Sequence, residues 1–428
     1  MKKYCFISAG RLSSLLGFIM AIVSGVPTVQ ALTLAEASEK ALRANPDLQV
    51  FEYRNKHAMA QAETASLRPA YNIGLEAENF AGTGEFSGFD GGEYTLSLSS
   101  TIELGGKRDA RLQAADSRIA QLQYQRQAQS LALLGEVNRA FIQLLALQEK
   151  QKINLQKVDL AEASQALVSR RVNSGAAPEA ERLRAQAVLA EARLQVEATN
   201  AALERQQFFL ANFWGGTADE VGDVSGQLYQ FAQPENFVEL WKQLESAPVG
   251  QQLAANIRWQ EAELARAKSN ASSDLNWTLG VKQMPVSDDT ALVAGISMPL
   301  FSASRAKSSI NAALAARDIA GSEQSSALLQ LRQRLYSAWS QQREYSKRAT
   351  TLRQQIIPAL KEAAKQTKQA YQSGRYSYVD WVSSQRELYY AEINAIDAAA
   401  EALANQILIE QLTAQTYASP STSNKTKD

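Results

Sequence analysis

The chain has 428 residues, and its 44 lysines and arginines are balanced by 44 aspartates and glutamates. This balance excludes the strong overall charge that is typical of proteins that bind nucleic acid or anionic membrane surfaces. A single histidine and a single cysteine argue against a Ser-His-Asp or Cys-His catalytic device. Since the sequence also has no P-loop and no dinucleotide-binding fingerprint, we expect neither an enzyme nor a cofactor.

The N-terminus has the layout of a secretory signal peptide, which we assign to residues 1–31. Lys2, Lys3 and Arg11 precede the apolar run Leu15–Val23, and small residues then lead to a cleavage position after Ala31. A transmembrane helix is the alternative, but the apolar run is shorter than the roughly 20 residues that a span requires. Because the only cysteine lies in this segment, burial and assembly must hold the exported chain together.

The rest of the chain contains two copies of one pattern. The segment "RVNSGAAPEAERL" recurs as "AYQSGRYSYVDWV", and "STIELGGKR" recurs as "SMPLFSASR". An internal repeat predicts two similar structural units, which we place at 32–213 and 235–418, joined by a connecting segment at 214–234. Each copy is predicted to contain a helix, a β-hairpin and a long helical pair. The polar residues 419–428 are predicted to be a disordered tail.

Two pairs of short segments alternate between apolar and polar residues, at about 69–104 and about 274–301. In the first pair Leu96 and Leu98 alternate with serine and threonine, and Leu292 keeps the same parity in the second. This period of two predicts two β-hairpins. Each strand of about ten residues has the length of a tilted strand that crosses a bilayer.

Long helical stretches follow each predicted hairpin. Between Arg108 and Arg171 there is no proline and a single glycine, so this helix would be about 95 Å long at about 1.5 Å per residue. Its predicted partner spans 178–213, and the second copy places corresponding helices at 304–372 and 376–417. Apolar residues at steps of three and four predict a coiled-coil-like seam between helices.

Four strands do not close a membrane barrel by themselves, because the smallest such barrels have about eight strands. An open sheet would leave unpaired backbone groups in lipid, which costs several kcal/mol per group. If these strands lie in a membrane, further copies of the chain must complete the barrel, and two, three or four copies would give 8, 12 or 16 strands with the apolar parity facing lipid. Glu76, Glu78 and Glu103 would face the lumen and favour cations, and Lys282 would offset part of this effect. A soluble β-sandwich is the alternative, but sandwiches are not usually paired with helices of this length.

The first hairpin ends at two glycines, Gly105 and Gly106, and a basic helix start with Lys107 and Arg108 follows directly. Glycine permits the sharp change from a tilted strand to a near-vertical helix. We therefore predict a joint between the membrane strands and the long helix here, with its basic residues near lipid phosphates. In the second copy the basic residue recurs as Arg305, whereas the glycines do not.

With its signal peptide, duplicated helix–hairpin–helix plan and Ser-Gly elbows, the chain resembles the TolC family of outer-membrane efflux channels. The segments "EAENFAGTGEF" (Glu76–Phe86) and "TLSLSSTIELGGKR" (Thr95–Arg108) are similar to the outer-membrane component of cobalt-zinc-cadmium efflux systems. This resemblance implies a homotrimer in the outer membrane of a Gram-negative bacterium, mainly α with membrane β. Duplicated helical hairpins would form a periplasmic α-barrel, and four strands from each protomer would form a twelve-stranded β-barrel.

The resemblance also implies a function and partners. The chain would be the exit duct of a tripartite efflux system for divalent heavy-metal cations. A periplasmic adaptor and a proton-driven, RND-type inner-membrane pump would dock at its periplasmic end. A drug or protein-secretion duct of the same family is an alternative. A periplasmic coiled-coil adaptor or scaffold is another, although adaptors usually carry one helical hairpin.

Individual residues take roles by the same resemblance. Asp380, the sixth residue after an elbow glycine, would line the periplasmic aperture, and Glu181 is its counterpart in the first copy. Ser383 stands where the family's best-known member has a second acid, so a double acidic ring is not predicted. The elbows would contact the adaptor, and their residues are Ser174, Gly175, Ser373 and Gly374. We predict no metal site, because His57 and Met59 form no soft-ligand cluster.

Overall fold

A computed structural model describes residues 31–84, 87–89, 91–233 and 235–415 of the chain. The predicted signal peptide, except for Ala31, and the predicted tail at 419–428 lie outside these residues. Within the described ranges the protein is mainly helical with a small number of strands. This architecture confirms the predicted fold class of long helical pairs combined with four short strands.

The elements follow the same order in both copies. The helices are α1 (Leu34–Ala44), α2 (Pro46–Ser66), α3 (Lys107–Asn173), α4 (Glu179–Asn212), α5 (Phe237–Ser246), α6 (Pro248–Ser269), α7 (Ser302–Thr351), α8 (Ile357–Gln372) and α9 (Tyr378–Thr413). The strands are β1 (Leu32–Thr33), β2 (Asn72–Glu78), β3 (Glu93–Ile102), β4 (Val224–Ser225), β5 (Leu275–Met284) and β6 (Asp289–Ser297). We refer to α3 and α4 as helical hairpin 1, and to α7, α8 and α9 as helical hairpin 2.

The starts of the two copies lie side by side. β1 and β4, which precede the short helices of each copy, pair in parallel, with Leu32 opposite Val224. Both short helices of the first copy begin at capping residues. Thr33 and Glu36 form a capping box at α1, and Pro46 occupies the first turn of α2 after the Asn45 cap. These caps satisfy backbone N–H groups that a helix start leaves without partners.

One antiparallel sheet contains four strands in the order β2-β3-β5-β6. The two copies meet at the β3–β5 pair, where Leu96 lies opposite Val281 and Leu98 opposite Leu279. These apolar side chains share one face of the sheet and are exposed in the protomer, as is Leu292 of β6. β2 and β6 each pair with a single strand in the described part of the chain, so the sheet is open at both edges.

Helical hairpin 1 forms the centre of the protomer. Val137, Phe141 and Leu144 of α3 follow the predicted three-and-four spacing, and each is at most 1% exposed within the core that α1, α4 and α9 complete. One 18-residue window of α3 is apolar enough to cross a membrane, with a mean hydropathy of 1.3, and half of it is buried in the protomer. Its apolar character is accounted for by packing between helices.

Helical hairpin 2 differs from the continuous helix predicted at 304–372. A five-residue π-helical segment, Leu352–Ile356, separates α7 from α8. Pro358 lies in the first turn of α8, after Ile357. Proline lacks a backbone N–H and crowds the preceding turn, so the backbone widens locally instead of continuing as a regular α-helix.

Candidate functional site

Both elbows end their helices in the same left-handed conformation. Gly175 and Gly374 have φ angles of +73° and +75°. After Gly175, the N–H of Ala176 donates to the Arg171 carbonyl, and after Gly374 the N–H of Arg375 donates to the Ala370 carbonyl. This is the Schellman arrangement, in which glycine avoids the steric penalty of a Cβ atom. The predicted elbow residues are all exposed.

Asp380 lies at the third position of α9, directly after the second elbow. Its carboxylate accepts hydrogen bonds from the Ser377 hydroxyl at 2.7 Å and the Ser377 N–H at 3.0 Å, and its own N–H donates back to the hydroxyl. The Ser377 hydroxyl and, next, its backbone N–H hold the pKa of the Asp380 carboxyl below its usual value. Asp380 is therefore an exposed, ionised carboxylate with a defined orientation.

Glu181 occupies the equivalent third position of α4 but has a different partner. Pro178 caps that helix and has no hydroxyl to donate. The Glu181 carboxylate instead accepts a hydrogen bond of 2.9 Å from the Tyr371 hydroxyl of α8. Burial and, next, this hydrogen bond raise the pKa of the Tyr371 hydroxyl, so it stays protonated as the donor. The pair ties helical hairpin 1 to helical hairpin 2.

Aromatic and cationic groups surround this tie. The Tyr371 ring is 2% exposed and stacks on Trp381 with a centroid distance of 5.0 Å. The Arg171 guanidinium lies 4.5 Å from the Tyr371 ring centroid and donates to the Tyr371 carbonyl. The sequence pattern did not identify Tyr371 or Arg171, because neither stands out before the two elbows are brought together.

The structure gives Asp380 and Glu181 separate roles within the protomer. Asp380 bonds to its own helix start, whereas Glu181 bonds across the hairpins. Each residue occupies the third position of its helix. A role for either residue in an aperture remains a prediction.

The polar face of the sheet carries a cluster of charged side chains. The Lys282 ammonium lies 2.8 Å from a Glu78 carboxylate oxygen and 2.5 Å from one of Glu93. Glu76 lies on the same face, since it is opposite Thr95, which in turn is opposite Lys282. Glu93 was not singled out from the sequence, although it has the same parity as Thr95.

Glu103 lies beyond the end of β3 and has a cationic partner. Both of its carboxylate oxygens accept hydrogen bonds from Arg111, one of them at 3.0 Å. Arg111 also donates to the backbone carbonyls of Ala65, near the end of α2, and of Leu67, just after it. This bidentate ion pair offsets the negative charge that the sequence assigned to the lumen at this position.

The basic residues of the first joint have protein partners. The Lys107 ammonium lies 2.7 Å from a carboxylate oxygen of Asp274, and the Arg108 guanidinium donates to the Ser66 carbonyl at 2.7 Å. These contacts link the start of α3 to the end of α2 and to the residue before β5. Both side chains are engaged within the protomer, and their contact with lipid phosphates remains a prediction. Arg305 is exposed at the second joint.

The bends themselves require left-handed backbone. Gly105 and Gly106 have φ angles of +72° and +68°, and a Cβ at Gly105 would lie 2.1 Å from the Ser272 hydroxyl oxygen. In the second copy Phe301 precedes α7 with a φ of +62°. The second joint therefore uses one left-handed residue that is not glycine, which the sequence pattern does not reveal.

No group of three or more potential metal-ligating side chains occurs among the described residues. His57 and Met59 are both exposed on α2. The Met59 sulfur accepts a contact of 3.7 Å from the Asn55 amide.

Comparison with known proteins places this arrangement in a family. The chain is 26% identical over 303 residues to the cobalt-zinc-cadmium resistance protein CzcC of Cupriavidus metallidurans, covering 70% of this chain and 72% of that protein. The fold is similar to the outer-membrane channel OprN, with a TM-score of 0.75, 21% identity and 89% coverage of both chains. It is also similar to the outer membrane protein VceC of Vibrio cholerae, with a TM-score of 0.74, 18% identity and coverage of 90% and 97%. The sequence pattern of outer membrane efflux proteins matches residues 37–216 and 251–415, and the chain belongs to this family.

Proposed function

We propose that the protein is the outer-membrane exit duct of a tripartite, proton-driven efflux system that exports divalent heavy-metal cations. In this proposal three copies form one channel in the outer membrane of a Gram-negative bacterium. A periplasmic adaptor and an RND-type inner-membrane pump are its partners. Membership of the efflux family supports the duct, and the name of the cobalt-zinc-cadmium resistance relative supports the cargo.

The observation that carries the proposal is the open sheet with one exposed apolar face. Leu279 and Leu292 are 57% and 88% exposed in the protomer, and β2 and β6 are free to pair with strands of other copies. Lipid hydrocarbon accommodates the apolar face, whereas the unpaired backbone edges are satisfied there only by closure into a barrel. Three copies supply twelve strands, an even number within the range of known membrane barrels.

The polar face and the elbows then define the route of the cargo. In the proposed barrel the face that carries Glu76, Glu78 and Glu93 would line the lumen, with Lys282 as the counter-charge. At the far end, three copies of the ionised Asp380 would form a carboxylate ring, which is a device that selects cations in pores. The exposed elbows at Gly175 and Gly374 offer the surface for an adaptor.

Growth on metals tests the duct with a matched pair of variants. In a strain that lacks the chain but retains its pump and adaptor, the wild-type protein should restore tolerance to cobalt, zinc and cadmium. Leu279→Arg places a charge on the lipid face, which costs about 2–4 kcal/mol near the bilayer midplane, and should abolish tolerance. Thr278→Arg, on the opposite face of the same strand, should retain an assembled trimer.

The outcomes separate the alternatives. Restored tolerance to dyes and detergents without tolerance to metals would favour the drug-duct alternative. Recovery of the wild-type chain as a soluble periplasmic monomer would contradict the channel itself.

A further inference from the structure

A groove runs between α4 and α9, on the side of the helical hairpins near the elbows. It contains two cavities, of about 230 Å³ and about 450 Å³, that share Val188, Glu191, Val382 and Arg386. Apolar and aromatic side chains line the smaller cavity, which is a recess between helical hairpin 1 and helical hairpin 2. Its apolar and aromatic lining includes Leu160, Val188, Val382 and Tyr389.

The larger cavity carries cations that lack carboxylate partners. Neither Arg184 nor Arg386 has a carboxylate oxygen within 4.0 Å in the described part of the chain. Glu191 is the one acidic residue that lines this cavity. The positive charge of the cavity is therefore not fully compensated by the protein.

A third cation lies at the smaller cavity. The Lys157 ammonium is half-buried and sits 4.0 Å from the Tyr389 ring centroid, and no salt bridge to it occurs among the residues described. Burial lowers the pKa of the Lys157 amine, Glu191 acts in the opposite direction, and Arg386 adds to the lowering. Lys361 also lines the recess, but it is paired with Glu392 at 3.1 Å.

Tyr378 lines the larger cavity and carries a buried hydroxyl. Tyr378 is 2% exposed and lines this cavity, and its hydroxyl has no hydrogen-bond partner in the described structure. A buried hydroxyl without a partner carries an uncompensated desolvation cost. An acceptor oxygen supplied by a ligand would remove this cost, and the Ser383 hydroxyl lies in the same lining.

We propose that this groove binds a small amphiphilic monoanion, with its carboxylate or sulfonate beside Arg184, Arg386 and the Tyr378 hydroxyl. Its aromatic or short aliphatic body enters the recess between Leu160, Val188 and Val382. Such a ligand bridges the two helical hairpins and holds them together. The consequence of this bridging for opening of a channel rests on the proposed duct function, whereas binding of the ligand does not.

Binding is measured on the purified full-length protein by isothermal titration calorimetry, with 4-phenylbutyrate as the probe. The neutral 4-phenylbutanol and the cationic 4-phenylbutylamine serve as matched ligands. We expect saturable binding of the anion in the millimolar range or tighter, and much weaker binding of the other two. Arg386→Gln should weaken the affinity for the anion about tenfold, which is the scale expected for one lost hydrogen bond between charged groups.

Two further variants separate binding from folding. Tyr378→Phe removes the unpartnered hydroxyl alone and should weaken binding without lowering the melting temperature. Arg193→Gln on the outer part of α4, where Arg193 pairs with Glu162 at 2.8 Å, should leave binding unchanged. Equal binding of all three ligands, no saturable binding of the anion, or an unchanged affinity in Arg386→Gln would each overturn the proposal. Trimer formation and metal tolerance are measured separately, so failure of the duct would be recognised independently.

Discussion

Removal of one hydroxyl should loosen the tie between the two helical hairpins. Tyr371→Phe deletes the 2.9 Å hydrogen bond to Glu181 and keeps the ring that stacks on Trp381. The donor is 2% exposed and the acceptor is a partly buried carboxylate. A hydrogen bond to a charged group contributes about 1.5–3 kcal/mol.

That free energy corresponds to roughly a ten- to hundredfold change in the equilibrium between tied and separated hairpins. The measurement is single-channel conductance of the purified trimer in planar bilayers, together with its melting temperature. We expect a higher open fraction and a lower melting temperature for Tyr371→Phe. Glu181→Gln, which keeps an acceptor but loses the charge, should have a smaller effect.

The control is a tyrosine whose hydroxyl has no acceptor among the residues that the structure describes. Tyr390 is 54% exposed, and Tyr390→Phe should behave as the wild type. If Tyr371→Phe and Tyr390→Phe were indistinguishable in conductance and in melting temperature, the reasoning that the hydrogen bond ties the hairpins would be refuted.

Three further predictions follow from the joints and the charged clusters. Because Ser377 lowers the pKa of Asp380, the capping interaction is present at neutral pH and is lost as the pH falls through that lowered pKa. An NMR titration should show that Ser377→Ala raises the pKa of Asp380. Asp380→Asn should alter cation block in planar bilayers. In chemical denaturation, Gly106→Ala should lower the free energy of unfolding by about 1–2 kcal/mol, the strain of a left-handed residue, because the space around its Cβ is open. Gly105→Ala should lower it by more, because its Cβ would also clash with Ser272. Lys282→Met leaves two carboxylates unpaired on the polar face, so the reversal potential in a salt gradient should shift towards stronger cation selectivity; an unchanged potential would place this cluster outside the conducting path.

Much of the architecture is determined by the sequence alone. The alternation around Leu96 and Leu292 specifies strands with one apolar face, because a period of two places alternate side chains on opposite faces. Long segments without proline specify long helices. The glycines at 175 and 374 specify elbows, because few other residues adopt the left-handed conformation that ends a helix in this way.

The site depended on contacts that local patterns do not encode. Glu181 and Tyr371 are 190 residues apart, and the hydrogen bond between them exists only because the two hairpins pack side by side. The sequence shows that Lys107 is basic, but only the tertiary structure shows that Asp274 is its partner. The sequence by itself determined which elements form and which face of the sheet is apolar. The tertiary structure decided the partner of each charged group, because those partners come from distant segments that packing brings together.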